Sequence, residues 1–229
     1  LIQHQGIWLP DNEREQIEWM NKHGELVNGR GTYQIKKLRA AMEHVKQFRT
    51  AVDVGSHVGF WSMHLAPKFA HLHAFEPIAE YRECFLRNLH PQLSAGIDVA
   101  LYDCALGNKS GPVTLSRNPT VSGDTWIRPE RYPVAAGRVD EGGVNMRTLD
   151  SFELRDVDFL KVDCEGYEYF VLLGAADTLA RCKPCVIVEQ KRDMAAKFGL
   201  APQQACRFLE KLGAQPRCEL GGDFVYSWD

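Results

Sequence analysis

The stretch from Thr50 to Trp61 constrains this chain more than any other. Thr50-Ala-Val-Asp53 reads as a buried strand, and Val-Gly-Ser-His-Val-Gly-Phe-Trp61 after it reads as a glycine-bearing turn passing into a helix. Glycine is the residue that lets a backbone bend this sharply and approach a ligand closely. Gly55 and Gly59 stand four apart with Asp53 two before the first, a D-x-G-x-x-x-G pattern. This is not the G-x-G-x-x-G spacing that grips a pyrophosphate. A carboxylate at the strand end repels phosphate and suits a ligand carrying an ammonium or hydroxyl groups.

A second apolar run, His71-Leu-His-Ala-Phe75, leads into Glu76-Pro77, 23 residues after Asp53. Ligands of open α/β sheets bind at the carboxyl ends of parallel strands, which is where Glu76 falls. The two oxygens of one carboxylate can accept hydrogen bonds from both hydroxyls of a ribose. A ligand with a ribose and an ammonium, such as S-adenosylmethionine, satisfies both strand ends.

With 229 residues and 45% hydrophobic content, the chain can bury one sizeable core, so one domain over 1–229 is expected. The formal net charge of -3 argues against affinity for a long nucleic-acid backbone. No apolar run approaches the ~20 residues that span a bilayer. Leu1 to Pro10 has no charged n-region or cleavage site, so a cytoplasmic protein is expected. The seven cysteines are odd in number and irregular in spacing, which is not a disulfide framework. Cys182-Lys-Pro-Cys185 precedes an apolar run rather than a helix and has no second pair to complete a zinc tetrad. It reads as small hydrophobes flanking a turn. The eight histidines are scattered, and scaffold roles are expected for His64, His71 and His73.

Helical patterns at Asp11 to Gly24 and Thr32 to Phe48 predict an N-terminal helical cap over 1–48. From residue 49 the elements alternate. Strands are expected at Ala51–Val54, Leu72–Phe75, Asp98–Cys104, Asp158–Asp163 and Cys185–Glu189, and helices at His57–Phe69, Ile78–Leu89 and Pro202–Leu212. This rhythm predicts a doubly wound, mostly parallel sheet of the Rossmann-like type. Ala214 to Pro216 and Cys218, then Gly221-Gly222 before Phe224 to Trp228, predict a closing antiparallel hairpin. Gly111 to Ser116 reads as a short extra strand. The segment 117–143, rich in turn-forming residues, reads as a long loop in which Trp126 and Tyr132 favour a flap over the substrate.

The run Asp163-Cys-Glu165-Gly-Tyr-Glu168 is the densest acidic cluster in the chain. If the strand continued, alternation would point Asp163 and Glu165 the same way, into the crevice. Glu189 ends the next parallel strand as the natural neighbour of Asp163. Together these carboxylates can hold a cofactor ammonium, take a proton from a nucleophile or bind a divalent cation. Glu168 is explained by the dipole of a helix N-terminus.

The motifs DVGSHVGF, FEP, ALGNKSG, TLDS, DFLKVDCEGYE and VIVEQ, taken together over Thr50 to Gln190, resemble the FkbM-type S-adenosylmethionine-dependent methyltransferases. These are class I enzymes with a seven-stranded sheet that methylate hydroxyl oxygens on sugars and other small molecules. The resemblance implies that Asp53, Gly55, Ser56, His57 and Gly59 line the methionine part of the cofactor, and that Glu76 with Pro77 meets the ribose. It places Asp103 and Cys104 at the adenine. His57 stands where a smaller polar residue such as Asn is expected. Asp163, Glu165 and Glu189 fall at the catalytic strand ends, with a small-molecule or saccharide hydroxyl as the acceptor and a divalent metal as one route to its activation.

Three other readings remain at this level. A ribose 2'-O-methyltransferase acting on RNA would use Lys36 or Lys37, Asp163 and Lys191, but Phe224 to Trp228 offers no glutamate for a fourth member, and the net charge is acidic. A nicotinamide-dependent oxidoreductase needs the glycine spacing that Asp53 to Gly59 lacks. A binding protein without catalysis would keep the fold alone.

Overall fold

The computed structural model describes residues 1–11, 13–191 and 193–228. The N-terminal region holds β1 (Ile2–His4) and β2 (Ile7–Leu9), α1 (Glu15–His23), β3 (Leu26–Val27) and β4 (Arg30–Gly31), and α2 (Ile35–Met42). The expected cap helices are present, and two hairpins, β1/β2 and β3/β4, join them. The hairpins turn on left-handed residues: Gln5 and Gly6 in the first, Asn28 and Gly29 in the second.

The core follows as β5 (Thr50–Val54), α3 (Ser62–Leu65), β6 (His71–Phe75), α4 (Ala79–Ser94) and β7 (Asp98–Tyr102). After it come β8 (Ala105–Leu106), β9 (Gly111–Asn118), β10 (Val121–Ile127) and β11 (Val139–Arg147), then β12 (Val157–Val162), α5 (Glu168–Leu173), α6 (Ala176–Cys182) and β13 (Cys185–Glu189). The chain closes with α7 (Gln204–Lys211), β14 (Gln215–Glu219) and β15 (Asp223–Ser227). The main sheet has seven strands in the order β14-β15-β13-β12-β5-β6-β7. Strands β7, β6, β5, β12 and β13 run parallel, and β15 joins β13 antiparallel with β14 outside it. This is the doubly wound, mostly parallel architecture with a C-terminal hairpin that the alternation predicts.

Period-two alternation divides the core between the two faces. Val52, Val54, Leu160, Val162, Val186 and Val188 pack toward Leu172, Leu179 and Leu209. Ala51, Phe159, Cys185 and Ile187 pack toward Leu38, Leu65 and Phe85 on the other side. The chain builds outward from β5 through β6 to β7, then returns to lay β12 on the opposite side of β5. The crevice at the carboxyl ends of β5 and β12 is therefore the topological switch point.

Two expectations are corrected. The helix expected at His57–Phe69 is the four-residue α3, because His57 (φ 52°) and Gly59 (φ 89°) are left-handed and delay it, and Pro67 cuts it short. The long loop expected at 117–143 is mostly sheet: β10 and β11 flank β9, with β8 beside β11, and only the turn at 119–120 and the segment 128–138 lie outside strands. Register shifts at Val121/Thr125 and at Glu141/Val144 interrupt the alternation that would have marked these strands in the sequence.

Candidate active site

A cavity with about 1060 Å³ of space, its open mouth included, occupies the switch point. Its floor is the turn after β5 (Gly55, Ser56, His57), with Glu76 and Pro77 after β6 and Cys104, Ala105 and Leu106 beyond β7. Asp163, Cys164 and Glu165 after β12 lie at the other end with Glu189 and Lys191. Gln16, Tyr33 and Gln34 of the N-terminal region and Ser122, Thr125 and Trp126 of β10 cover it.

The turn is shaped by close backbone approach. Gly55 has φ 71°, and a Cβ there would sit 2.0 Å from the Asp163 carbonyl oxygen, so a side chain would push the ends of β5 and β12 apart. The buried Glu76 carboxylate accepts from the His57 amide (3.0 Å) through one oxygen and from the Ile78 amide (2.8 Å) through the other. Each oxygen keeps capacity for a further donor, and Glu76 lines the cavity. Burial pushes the Glu76 carboxyl up to about 7, against the pull of those two amides.

Asp53 and Lys161 are directly opposed on β5 and β12, and both are buried. The Lys161 ammonium lies 3.2 Å from Asp53 Oδ1 and 3.7 Å from Asp163 Oδ2, and it donates to the Gly55 carbonyl at 3.1 Å. Burial alone would lower the Lys161 pKa, but the Asp53 and Asp163 carboxylates hold it well above its ordinary value. Ser62 of α3 donates to the other Asp53 oxygen at 2.7 Å.

The acidic cluster assembles at the adjacent strand ends. Ligand oxygens of Asp163, Glu165 and Glu189 all lie within 4.8 Å of one another. The strand stops at Val162, and Glu165 reaches the cluster from a left-handed turn (φ 53°) rather than by strand alternation. Glu168 builds that turn: one oxygen accepts from the amides of Cys164 (3.0 Å) and Gly166 (2.8 Å), and the other from Gln190 Nε2 (3.1 Å). Burial raises the Asp163 carboxyl, but Lys161 and Lys191, a hydrogen bond from Glu189 and the charge of Lys37 bring it below the ordinary carboxylate range. Burial and the charges of Asp163 and Glu168 push Glu165 up to about 8. Burial, Asp163 and Glu165 push Glu189 well up, against the opposing pull of the Lys191 ammonium paired with it. These surroundings therefore push Asp163 toward the ionised form and Glu165 toward the protonated one.

A model of the methyltransferase FkbM domain matches residues 53–216. The chain belongs to the FkbM methyltransferase family. Methyltransferase 1 of Beauveria bassiana (strain ARSEF 2860) is 27% identical over 146 residues, covering 55% of this chain and 58% of that protein. The crystal structure of Methyltransferase FkbM from Methylobacillus flagellatus KT superimposes with a TM-score of 0.54 at 17% identity, over 79% of this chain and 44% of that one. At that identity the likeness is one of fold. The chain thus spans little more than half of the fungal relative and less than half of the bacterial one. Among the described residues no helix is long and apolar enough to cross a membrane.

In this FkbM-family chain, Gly55, Ser56, His57, Glu76, Pro77, Cys104, Asp163, Glu165 and Glu189 all line the same cavity. Three candidates do not. Asp53 is wholly buried behind the turn and acts through Lys161 and Ser62. Gly59 packs against α4, where a Cβ would lie 2.7 Å from Leu89 Cδ1. Asp103 is exposed and outside the lining, leaving Cys104 to face inward. Sequence reasoning missed Lys161 as a central residue, although a lysine within the apolar run Phe159 to Val162 signals a buried charge that needs a partner. It also missed Gln16, Tyr33 and Ser122, which only tertiary folding brings here. Lys37 and Lys191 do converge near Asp163, and Asp223 at the start of β15 accepts from Lys37 and lies 4.0 Å from Lys191. Cys185 opens β13 as a buried residue, and none of the seven cysteines is in a disulfide.

Proposed function

We propose that this FkbM-family protein transfers a methyl group from S-adenosylmethionine to a hydroxyl oxygen of a small molecule or saccharide. The observation that carries the reading is one cavity holding a ribose-competent carboxylate, Glu76, at one end and the Asp163, Glu165 and Glu189 cluster at the other. When bound, S-adenosylmethionine supplies an electrophilic sulfonium methyl and leaves as a neutral thioether. The protein's part is alignment and proton management. Asp163, held ionised, accepts a hydrogen bond from the acceptor hydroxyl and takes its proton as the oxygen becomes an ether oxygen. Glu165, its carboxyl pushed up to about 8, can donate to a neighbouring acceptor oxygen, while Glu189 is paired with the Lys191 ammonium. Tyr33, Trp61 and Trp126 offer apolar ring faces in the same cavity, which suits the aliphatic face of a sugar.

Three carboxylate oxygens are hard donors of the kind magnesium and manganese take. Here the Lys161 and Lys191 ammonium groups already lie against Asp163 and Glu189 and supply the compensating positive charge. The reading therefore runs without a metal. A ribose within RNA fits less well, because the acid that β15 brings to Lys37 and Lys191 is Asp223 rather than the glutamate that reading calls for, and the net charge of -3 is acidic. Calorimetry with S-adenosylmethionine, its demethylated product and NAD tests the reading. Binding of the first two and not of NAD supports it, and binding of neither sinks it.

A further inference from the structure

His57 lies in the cofactor turn, and its ring faces away from the turn toward the cover of the cavity. Its Nε2 is 2.8 Å from Ser122 Oγ on β10, and its Nδ1 is 3.4 Å from Gln16 Nε2 on α1. The ring also meets Tyr81 of α4 edge-on, with centroids 4.6 Å apart. Ser122 in turn gives both its hydroxyl and its amide to Glu13 Oε2, and Glu13 Oε1 accepts from the Gln16 amide at 3.0 Å. One closed circuit thus joins the turn, the start of the cap helix and the roof strand, segments 41 and 65 residues from His57 in sequence.

The circuit fixes its own protons. Because the Ser122 hydroxyl donates to Glu13, it accepts from His57, so Nε2 carries the ring proton and Nδ1 is the acceptor. Gln16 must then present its amide nitrogen to Nδ1 and its carbonyl oxygen elsewhere. That oxygen is buried with no hydrogen-bond partner, on a residue lining the cavity. A buried polar atom left unpaired is costly, so the position is a ready acceptor for a donor on a bound ligand. The register of the roof strand shifts between Val121 and Thr125, the stretch that carries Ser122. On the turn side, the His57 amide is held by Glu76 Oε2, so backbone and ring of one residue grip the floor and the roof together.

We infer that His57 is a positioning residue, a latch whose ring fastens α1 and β10 over the cavity and transmits displacement of the cofactor turn to that cover. The inference rests on the proposed cofactor only for which ligand occupies the turn. A residue at this left-handed position must also tolerate φ 52°, so His57→Asn is the informative variant: it keeps the backbone and the amide to Glu76, and is too short to reach Ser122.

Hydrogen exchange measured by mass spectrometry tests the latch in the free protein. In His57→Asn, and separately in Ser122→Ala, residues 13–23 and 121–127 should exchange about 10-fold faster together, on the scale of one or two lost hydrogen bonds. The core strands β5, β12 and β13 should not change. Unchanged exchange in both segments, or a rise spread evenly over the whole chain, overturns the latch in favour of ordinary packing. In the second arm, S-adenosylhomocysteine at saturating concentration should protect both segments in the wild type and not in His57→Asn. Equal protection in the variant also overturns the coupling. If the wild type fails to bind this ligand, the methyltransferase reading falls while the free-protein exchange still decides the latch.

Discussion

The Lys161 ammonium stands 3.2 Å from the Asp53 carboxylate across the two central strands, and both groups are removed from solvent. Asp53 heads the glycine turn, so this ion pair fixes the floor of the cavity from behind. It also extends to Asp163, at 3.7 Å, and links the floor to the acid proposed to take the acceptor's proton.

Lys161→Met should therefore destabilise the fold by roughly 3–5 kcal/mol, because it leaves Asp53 as an uncompensated buried charge. Thermal unfolding checks this, and Asp53→Asn in the same background should recover part of the loss. The sign of the pH dependence follows from the raised Lys161 pKa. Its stabilising contribution is complete below the ordinary lysine value and fades as pH rises through the higher folded value. An unchanged melting temperature in Lys161→Met would show that the pair contributes no net stability.

Glu76→Ala should weaken S-adenosylmethionine binding by about 1.5 to 3 kcal/mol, the scale of lost charge-assisted hydrogen bonds. It also removes the partner of the His57 and Ile78 amides, so circular dichroism must accompany the calorimetry. Undiminished affinity would take Glu76 out of the ligand site.

Asp163→Asn keeps the shape and removes the charge, and methyl transfer to an identified acceptor should fall by roughly 100-fold or more, the scale of general-base loss. Cofactor affinity should change less. Chelation before assay should leave the rate as it was, because Lys161 and Lys191 hold the compensating charge. A rate abolished by chelator and restored by magnesium or manganese would instead make Asp163, Glu165 and Glu189 a metal site.

Glu165 gives a stability test independent of activity. Its carboxyl, raised from 4.5 to about 8 by burial and by Asp163 and Glu168, keeps its proton in the folded protein where the unfolded chain has lost it. The native state then binds more protons, and this residue's contribution to stability falls as pH rises from about 4.5 to 8. Glu165→Gln should flatten that fall, leaving the variant more stable than the wild type at pH 9 in urea titrations. A parallel pH dependence in the two proteins would place the Glu165 pKa at its ordinary value.

Trp126 stands over the cavity from β10, with Lys197 Nζ 4.4 Å from its ring centre. Trp126→Ala should raise the acceptor KM about 10-fold, the loss of one aromatic contact face, and leave S-adenosylhomocysteine affinity unchanged. A change in cofactor affinity of the same size would place Trp126 over the cofactor instead.

The sequence alone determined the parallel sheet, because fully buried strands such as Thr50–Val54 and Cys185–Glu189 are short apolar runs separated by helical spacing and turns. It also determined the acids at the strand ends, since a carboxylate closing an apolar strand of an open α/β sheet falls in the crevice whatever the loops do. Asp163, Glu189 and Glu76 were legible for that reason, whereas Glu165 reaches the cluster from a left-handed turn beyond the strand end that alternation did not foretell. Strand identity does not say which face a residue meets once the chain leaves the strand. Asp53 and Lys161 share a face only because β5 and β12, about a hundred residues apart, pair in a register that opposes them. That register turned Asp53 from a ligand contact into a buried counter-ion. The cover was decided entirely by tertiary structure: the register shift that hid β10 from the alternation spans Ser122, the residue that meets His57. Local sequence carries periodicity, whereas a contact between Glu13, His57 and Ser122 exists only when three distant segments have each found their place on the sheet.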